Sequence, residues 1–251
     1  MKITRVFYEN REYWAKIEES SVTLLKDPPF DKINPLKDLS FTDVKLLIPT
    51  EPQKIVLAGL NYRDHARELD MKIPDEPIIF LKPPSSLIKD GDSIVYPKGV
   101  KRLDYEAELA VVIRREAKDI KESEVADYIL GYSCLNDVTA RDIQSRDIQW
   151  SRAKSFDSFA PFGPWIETDL ELDNLRVKSY LNSELKQDSS ISNFIFSLPE
   201  LLAFISSIMT LKPGDIVSTG TPSGVGSMEV GDKVSVEIDG IGVLSNTVIS
   251  C

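Results

Sequence analysis

Apolar and polar residues alternate with a period of two through much of the chain, and that period predicts a protein built mainly of β-strands. Residues 3–8, 12–18 and 22–25 read as short strands parted by polar turns, a meander. Asp27-Pro-Pro-Phe30 and Asn34-Pro35 then break the chain, since proline has no amide to donate to a ladder. A Pro-containing connector at 48–53 leads into residues 54–60, an unbroken apolar run of the buried-strand type. The boundary implied is near residue 50, with a small β-rich domain at 1–50 and the main domain at 51–251.

Helical spacing is confined to a few places. Residues 61–69 read as a short helix capped by Asn61, and 120–129 and 139–148 also carry the helical period. The clearest helix starts at Ser197-Leu-Pro-Glu200, where a Ser cap, a Pro in the first turn and a Glu at the third position make a capping box. Leu201, Leu202, Ile205 and Ile208 form its apolar stripe, and Lys212-Pro-Gly214 lies beyond its end. Residues 215–248 return to strands with Gly-rich turns. With no internal repeat and no βαβ rhythm, the class expected is α+β, dominated by sheet.

One predicted strand stands out. In Leu103-Asp-Tyr-Glu-Ala-Glu-Leu-Ala-Val-Val-Ile113, Tyr105, Ala107, Leu109, Val111 and Ile113 share one face. Glu106 and Glu108 share the other with Ala110 and Val112, so that face begins acidic and continues apolar. Two neighbouring carboxylates at a core edge repel each other and require a cation or a shared proton. A hard divalent metal answers that need, while a solvated strand face is the plainer alternative, as in residues 234–240 with Ser235, Glu237 and Asp239. Asp137, where a strand at 132–138 runs into a helix, is the third candidate ligand or else a turn residue. Carboxylates without His or Cys suit Mg²⁺ or Mn²⁺ better than Zn²⁺.

His65 is the only histidine, and Glu68 follows three residues later on the same helical face. An imidazole held by a carboxylate is a ready general base; a surface helix of paired charges is the alternative. Lys154, flanked by small and apolar residues, can neutralise a carboxylate or stabilise an enolate, or lie on the surface. Thr219-Gly-Thr-Pro-Ser-Gly-Val-Gly226 lacks the Lys-Ser/Thr ending of a nucleotide-binding loop. Its amides and Thr221 can form an anion nest or simply a tight turn.

Composition narrows the partners. The 251 residues are 42% hydrophobic and 28% charged, with a formal net charge of -10, which argues against a general nucleic-acid binder and against anionic membranes. Two cysteines, Cys134 and Cys251, make no disulfide framework, and Cys134 reads as a small core residue. No apolar run reaches the length of a membrane span, and the first ten residues lack the apolar core of a signal peptide. A cytoplasmic location is the expectation.

In chain order, Gly59-Leu-Asn-Tyr62 with His65 and Glu68, Phe80-Leu-Lys-Pro83, and Asp104-Tyr-Glu-Ala-Glu-Leu109 are followed by further motifs. These are Asp137-Val-Thr-Ala-Arg-Asp142, Ala153-Lys-Ser-Phe156, Leu211-Lys-Pro-Gly-Asp215 and Ser218-Thr-Gly-Thr-Pro222. From about residue 55 onward the chain thereby resembles the fumarylacetoacetate hydrolase family. The resemblance implies a mixed β-sandwich roll, usually a homodimer, with Mg²⁺ or Mn²⁺ held by Glu106, Glu108 and Asp137. It further implies that Lys154 faces the substrate, that Arg141 and Gln144 help bind it, and that Thr221 with the Gly220 backbone holds its carboxylate. His65 and Glu68 occupy the positions of a catalytic pair on a lid helix that substrate orders.

The function expected on this basis is hydrolytic C–C cleavage of an acylpyruvate, a 2-oxo acid, with His65 activating water and a metal-stabilised enolate leaving. Isomerisation or decarboxylation of a 2-hydroxyhepta-2,4-diene-1,7-dioate type of substrate, oxaloacetate decarboxylation or tautomerisation, and sugar-acid dehydration use the same enolate differently. A structural metal site without catalysis is the non-enzymatic alternative.

Overall fold

The computed structural model describes residues 1–251. Three sheets of 12, 3 and 5 strands form a sheet-dominated mixed β-sandwich roll. The five-stranded sheet packs on the large one through Val177, Val236, Ile238 and Leu244, against Ala107, Leu109 and a fully buried Cys134.

The expected meander is present as strands Lys2–Tyr8, Arg11–Ile17 and Ser21–Leu25. A further strand, Pro35–Ser40, lies where the prolines were read as a break. It is tolerated because Pro35 opens an edge strand, where a missing amide costs no ladder bond. Val6, Ala15, Val22 and Leu24 give residues 1–50 a small core of their own. Their strands nevertheless continue the main sheet, since Lys2 and Ile3 pair with Glu167 and Ile166 of strand Ala160–Glu167.

The single strand expected over 103–113 is two strands in two sheets. Leu103–Tyr105 belongs to the three-stranded sheet and Ala107–Ile113 lies in the large sheet. The break is at Glu106, whose N–H donates to the Asn136 side chain (2.9 Å) and whose carbonyl accepts from Asp137 N–H (2.8 Å). Both faces of this run are buried, so Glu106 and Glu108 are not on a wet face.

Helix Leu198–Ile208 carries the expected capping box, with the Ser197 hydroxyl accepting from Glu200 N–H and the Glu200 carboxylate accepting from Ser197 N–H. Leu201, Leu202 and Ile205 are wholly buried against Val56, Val111 and Val217. Each contributes about 1.5–3 kcal/mol by burial. Ile208, placed in the stripe by spacing, is exposed at the last position.

The helix bearing His65 spans Arg63–Glu68 and is capped by Tyr62, not Asn61. The Asn61 side chain turns inward, donating to the Thr219 carbonyl and accepting from Phe196 N–H. Residues 120–129 form a 3-10 helix, Glu122–Tyr128. In 139–148 only Arg141–Gln144 is helical, because Thr139–Ala140 is drawn into the small sheet against Leu103 and Asp104. No helix is long and apolar enough to cross a membrane.

Candidate active site

Glu106, Glu108 and Asp137 converge where the two sheets meet. Their nearest carboxylate oxygens lie within 4.8 Å of one another, and all three residues are buried. Backbone contacts set the spacing: Glu106 sits at the strand break, Glu108 two residues on shares its face, and Asp137 follows strand Ile129–Asn136 beside them.

Cations surround the trio. Lys154 Nζ donates to Glu106 Oε2 (2.8 Å) and Asp137 Oδ2 (2.5 Å). Arg141 donates to Glu106 Oε1 through Nη2, to Asp104 Oδ2 through Nε (2.8 Å) and to Gln144 Oε1 through Nη1 (2.5 Å). Lys82, also buried, donates to Asp137 Oδ1 and to the carbonyls of Val138 (2.9 Å) and Phe159 (2.6 Å). Burial opposes the Glu106 charge, but Lys154 and Arg141 outweigh it and hold that carboxyl well below its usual range. Burial lowers the affinity of Lys154 for its proton, yet Asp137 and Glu106 overcome this and raise it. For Lys82 burial wins against Asp137 and brings the ammonium down to about 8.

Glu108 has no basic neighbour in contact. Its Oε2 accepts from Ser218 Oγ (2.5 Å) and Gly220 N–H (3.1 Å), which leaves Oε1 without a protein partner. Burial, then the negative charges of Asp137 and Glu106, push its carboxyl well above the ordinary range. A third buried negative charge is thus sustained only with further positive charge. The donor set is all oxygen and hard, so the residues fit a Mg²⁺- or Mn²⁺-type ion.

His65 and Glu106 line one cavity, of about 280 Å³, together with Arg141, Gln144 and Lys154. Leu60, Leu69, Met71, Ile78 and Trp150 supply the apolar part of its lining. His65 Nδ1 is 2.9 Å from Glu68 Oε2, while Glu68 Oε1 accepts from Gly224 N–H (2.9 Å). The short helix is tethered by the protein: Asp64 accepts from Ser189 and Asn193, and Arg63 donates to the Phe194 and Ile195 carbonyls. A larger depression of about 720 Å³ beside Met1, Lys2 and Trp165 has no comparable convergence of catalytic groups.

Of the residues singled out by sequence, His65, Glu106, Arg141, Gln144 and Lys154 line the cavity. Glu108 and Asp137 complete the carboxylate cluster, and Glu68 stands behind His65. Gly220 and Thr221 are engaged with the protein. The Gly220 amide binds Glu108, and the Thr221 hydroxyl donates to the Ala107 carbonyl (2.9 Å) while accepting from Gln187 (2.8 Å). Sequence reasoning missed Lys82, Asp104, Ser218, Gln187 and Trp150. Lys82 had left a signal, since Phe80-Leu-Lys-Pro83 is one of the motifs that carry the resemblance. Gln187 had left none, because it reaches Ala107 N–H (3.0 Å) from the other sheet.

The model described as Fumarylacetoacetate (FAA) hydrolase C-terminal matches residues 54–249. A second, described as Rv2993c-like, N-terminal, matches residues 1–49. The chain belongs to the fumarylacetoacetate hydrolase family, a family of enzymes. An uncharacterized protein of Methanocaldococcus jannaschii is 56% identical over 198 residues, 79% of this chain and 84% of that one. The mitochondrial oxaloacetate tautomerase Fahd2a of Rattus norvegicus is 40% identical over 220 residues, 83% of this chain and 70% of that one. The crystal structure of 5-carboxymethyl-2-hydroxymuconate delta-isomerase from Mycobacterium smegmatis superposes with a TM-score of 0.94 at 37% identity, covering 100% of both chains. Family membership sets aside the non-enzymatic alternative.

Proposed function

We propose that this enzyme binds a 2-oxo acid and moves a proton at the carbon next to its keto group, in a tautomerisation or isomerisation. The observation that carries the reading is one small cavity lined by both an oriented imidazole, His65, and Glu106 and Lys154 of the buried carboxylate cluster. Glu106, Glu108 and Asp137 would hold a divalent ion, which when bound would supply Lewis-acid stabilisation of the enolate charge.

The protein's own groups do the remainder. His65 takes the proton from the carbon and delivers it to the enolate oxygen, or to a conjugated carbon in an isomerisation, and Glu68 fixes the imidazole through Nδ1, which leaves Nε2 for the substrate. Lys154 and Arg141 balance the carboxylates and attract the anionic substrate, with Gln144 offering its amide beside Arg141. Lys82 sets its ammonium against Asp137 in a dry setting. Gly220 and Thr221 serve the site by fixing Glu108 and Ala107. The named activities of the rat and mycobacterial relatives, both shifts of a proton and a double bond, favour this outcome over bond cleavage.

Incubation with 2-oxo acids in D₂O, with Mg²⁺ or Mn²⁺ and then EDTA, tests the reading. Deuterium is expected at the carbon next to the keto group, followed by NMR, and EDTA should stop it. Lack of exchange with every acid would sink it.

Hydrolytic cleavage of an acylpyruvate is the second reading, because the buried His65, held by Glu68, is equally fit to activate water. Recovery of pyruvate and a free acid would establish it. The exposed apolar side chains of Leu81 and Ile148 beside edge strand Ile79–Lys82 support a homodimer, measurable by light scattering.

A further inference from the structure

We infer that Trp150 sets substrate specificity, and that the far end of the 2-oxo acid is an uncharged apolar chain and not a second carboxylate. This rests on the 2-oxo acid reading and specifies what lies beyond the keto group.

The cavity is divided by charge. Every fixed charge on its wall belongs to the Glu106, Arg141 and Lys154 cluster. The apolar part of the lining, Leu60, Leu69, Met71, Ile78 and Trp150, has no cation. Nor is a basic side chain at the cluster idle. The Arg141 guanidinium is spread over Asp104, Glu106 and Gln144, and the Lys154 ammonium over Glu106 and Asp137. A carboxylate at the far end would therefore be desolvated against hydrocarbon without a partner, whereas a methylene chain gains about 0.8 kcal/mol per buried group.

Trp150 is held in this wall by its surroundings. Its ring meets Phe80 edge-on, with centroids 5.5 Å apart. On another side it lies against Gly59, where an added Cβ would stand 2.8 Å from the indole and 3.3 Å from Ile78. Glycine at 59 is thus a requirement of close approach: a side chain there would drive the indole from its place. The Trp150 carbonyl also accepts from Lys154 N–H (3.1 Å). The apolar wall and the charged wall are accordingly joined by one helical turn, Ser151–Lys154.

Calorimetric binding of a matched pair provides the test: 2-oxohexanoate and 2-oxohexanedioate differ only in the terminal carboxylate. Oxalate, which presents a chelating head and no chain, serves as reference, all with Mg²⁺ present. The wild-type enzyme should bind 2-oxohexanoate at least about tenfold more tightly than the dioate. Trp150→Ala should cut that preference to roughly threefold or less, Gly59→Ala should weaken 2-oxohexanoate, and both should leave oxalate affinity unchanged, which also certifies their fold. Trp150→Phe should restore most of the preference. Equal or tighter binding of the dioate by the wild type overturns the inference, as does an unaltered preference in Trp150→Ala. Failure of oxalate and both acids to bind the wild type, with Mn²⁺ as well as Mg²⁺, overturns the 2-oxo acid reading itself.

Discussion

Lys82 has no solvent on any side, and its ammonium is shared among Asp137 and two carbonyls. Removing it leaves Asp137 with Lys154 as its one remaining basic partner in a dry site. A buried pair broken on one side costs on the order of 3–5 kcal/mol, so Lys82→Ala should lose about that much in urea unfolding without metal. A loss under about 1 kcal/mol would show that the Lys82–Asp137 pair does not carry that stabilisation. Glu106→Gln acts differently, through affinity: it removes a hard charged donor and should weaken Mg²⁺ binding by calorimetry, whereas unaltered affinity contradicts its place as a ligand. For His65→Ala, the rate of proton exchange should fall by roughly 10²- to 10⁴-fold if it is the base. An unchanged rate with bound substrate would assign the proton transfer elsewhere.

At the scale of elements, the Gly-rich loop 219–226 links the two halves of the site. Its Gly220 amide holds Glu108 and its Gly224 amide holds Glu68, while the Gly224 carbonyl accepts from Tyr105 Oη (3.0 Å). Gly224 has a φ of +96°, and an added Cβ would lie 2.2 Å from the Lys186 carbonyl. Gly224→Ala should therefore shift the loop and misplace the His65–Glu68 pair, lowering kcat on the order of 10- to 100-fold in steady-state assays. Helix Leu198–Ile208 gives the contrast. Ser197→Ala removes its cap and should cost about 1 kcal/mol in thermal unfolding with kcat unchanged, since the capping box is a local device outside the cavity wall.

On the scale of the whole molecule, the cluster gathers three buried carboxylates, and a bound cation would offset their repulsion. A divalent ion binding only the folded chain should raise Tm by several degrees, since saturation at 100 times Kd contributes about 2.7 kcal/mol. EDTA should reverse the rise in scanning calorimetry; no shift with either Mg²⁺ or Mn²⁺ would argue against the site.

What the chain determines locally is what depends on spacing within a few residues. The meander, the capping box at Ser197 and the pairing of His65 with Glu68 were all legible, because period, cap and i,i+3 neighbourhood are properties of one element. Glu106 and Glu108 were legible as a pair for the same reason. Tertiary structure decided the rest. It broke residues 103–113 at Glu106, because that amide bonds to Asn136 across the sheets. It took Asn61 away from the helix start, because two distant backbone groups needed its amide. It turned the Gly220 amide toward Glu108, and brought Lys82 to Asp137 from 55 residues away. Such choices are settled by which buried polar groups need partners, and those needs arise only once the sheets have packed and excluded water.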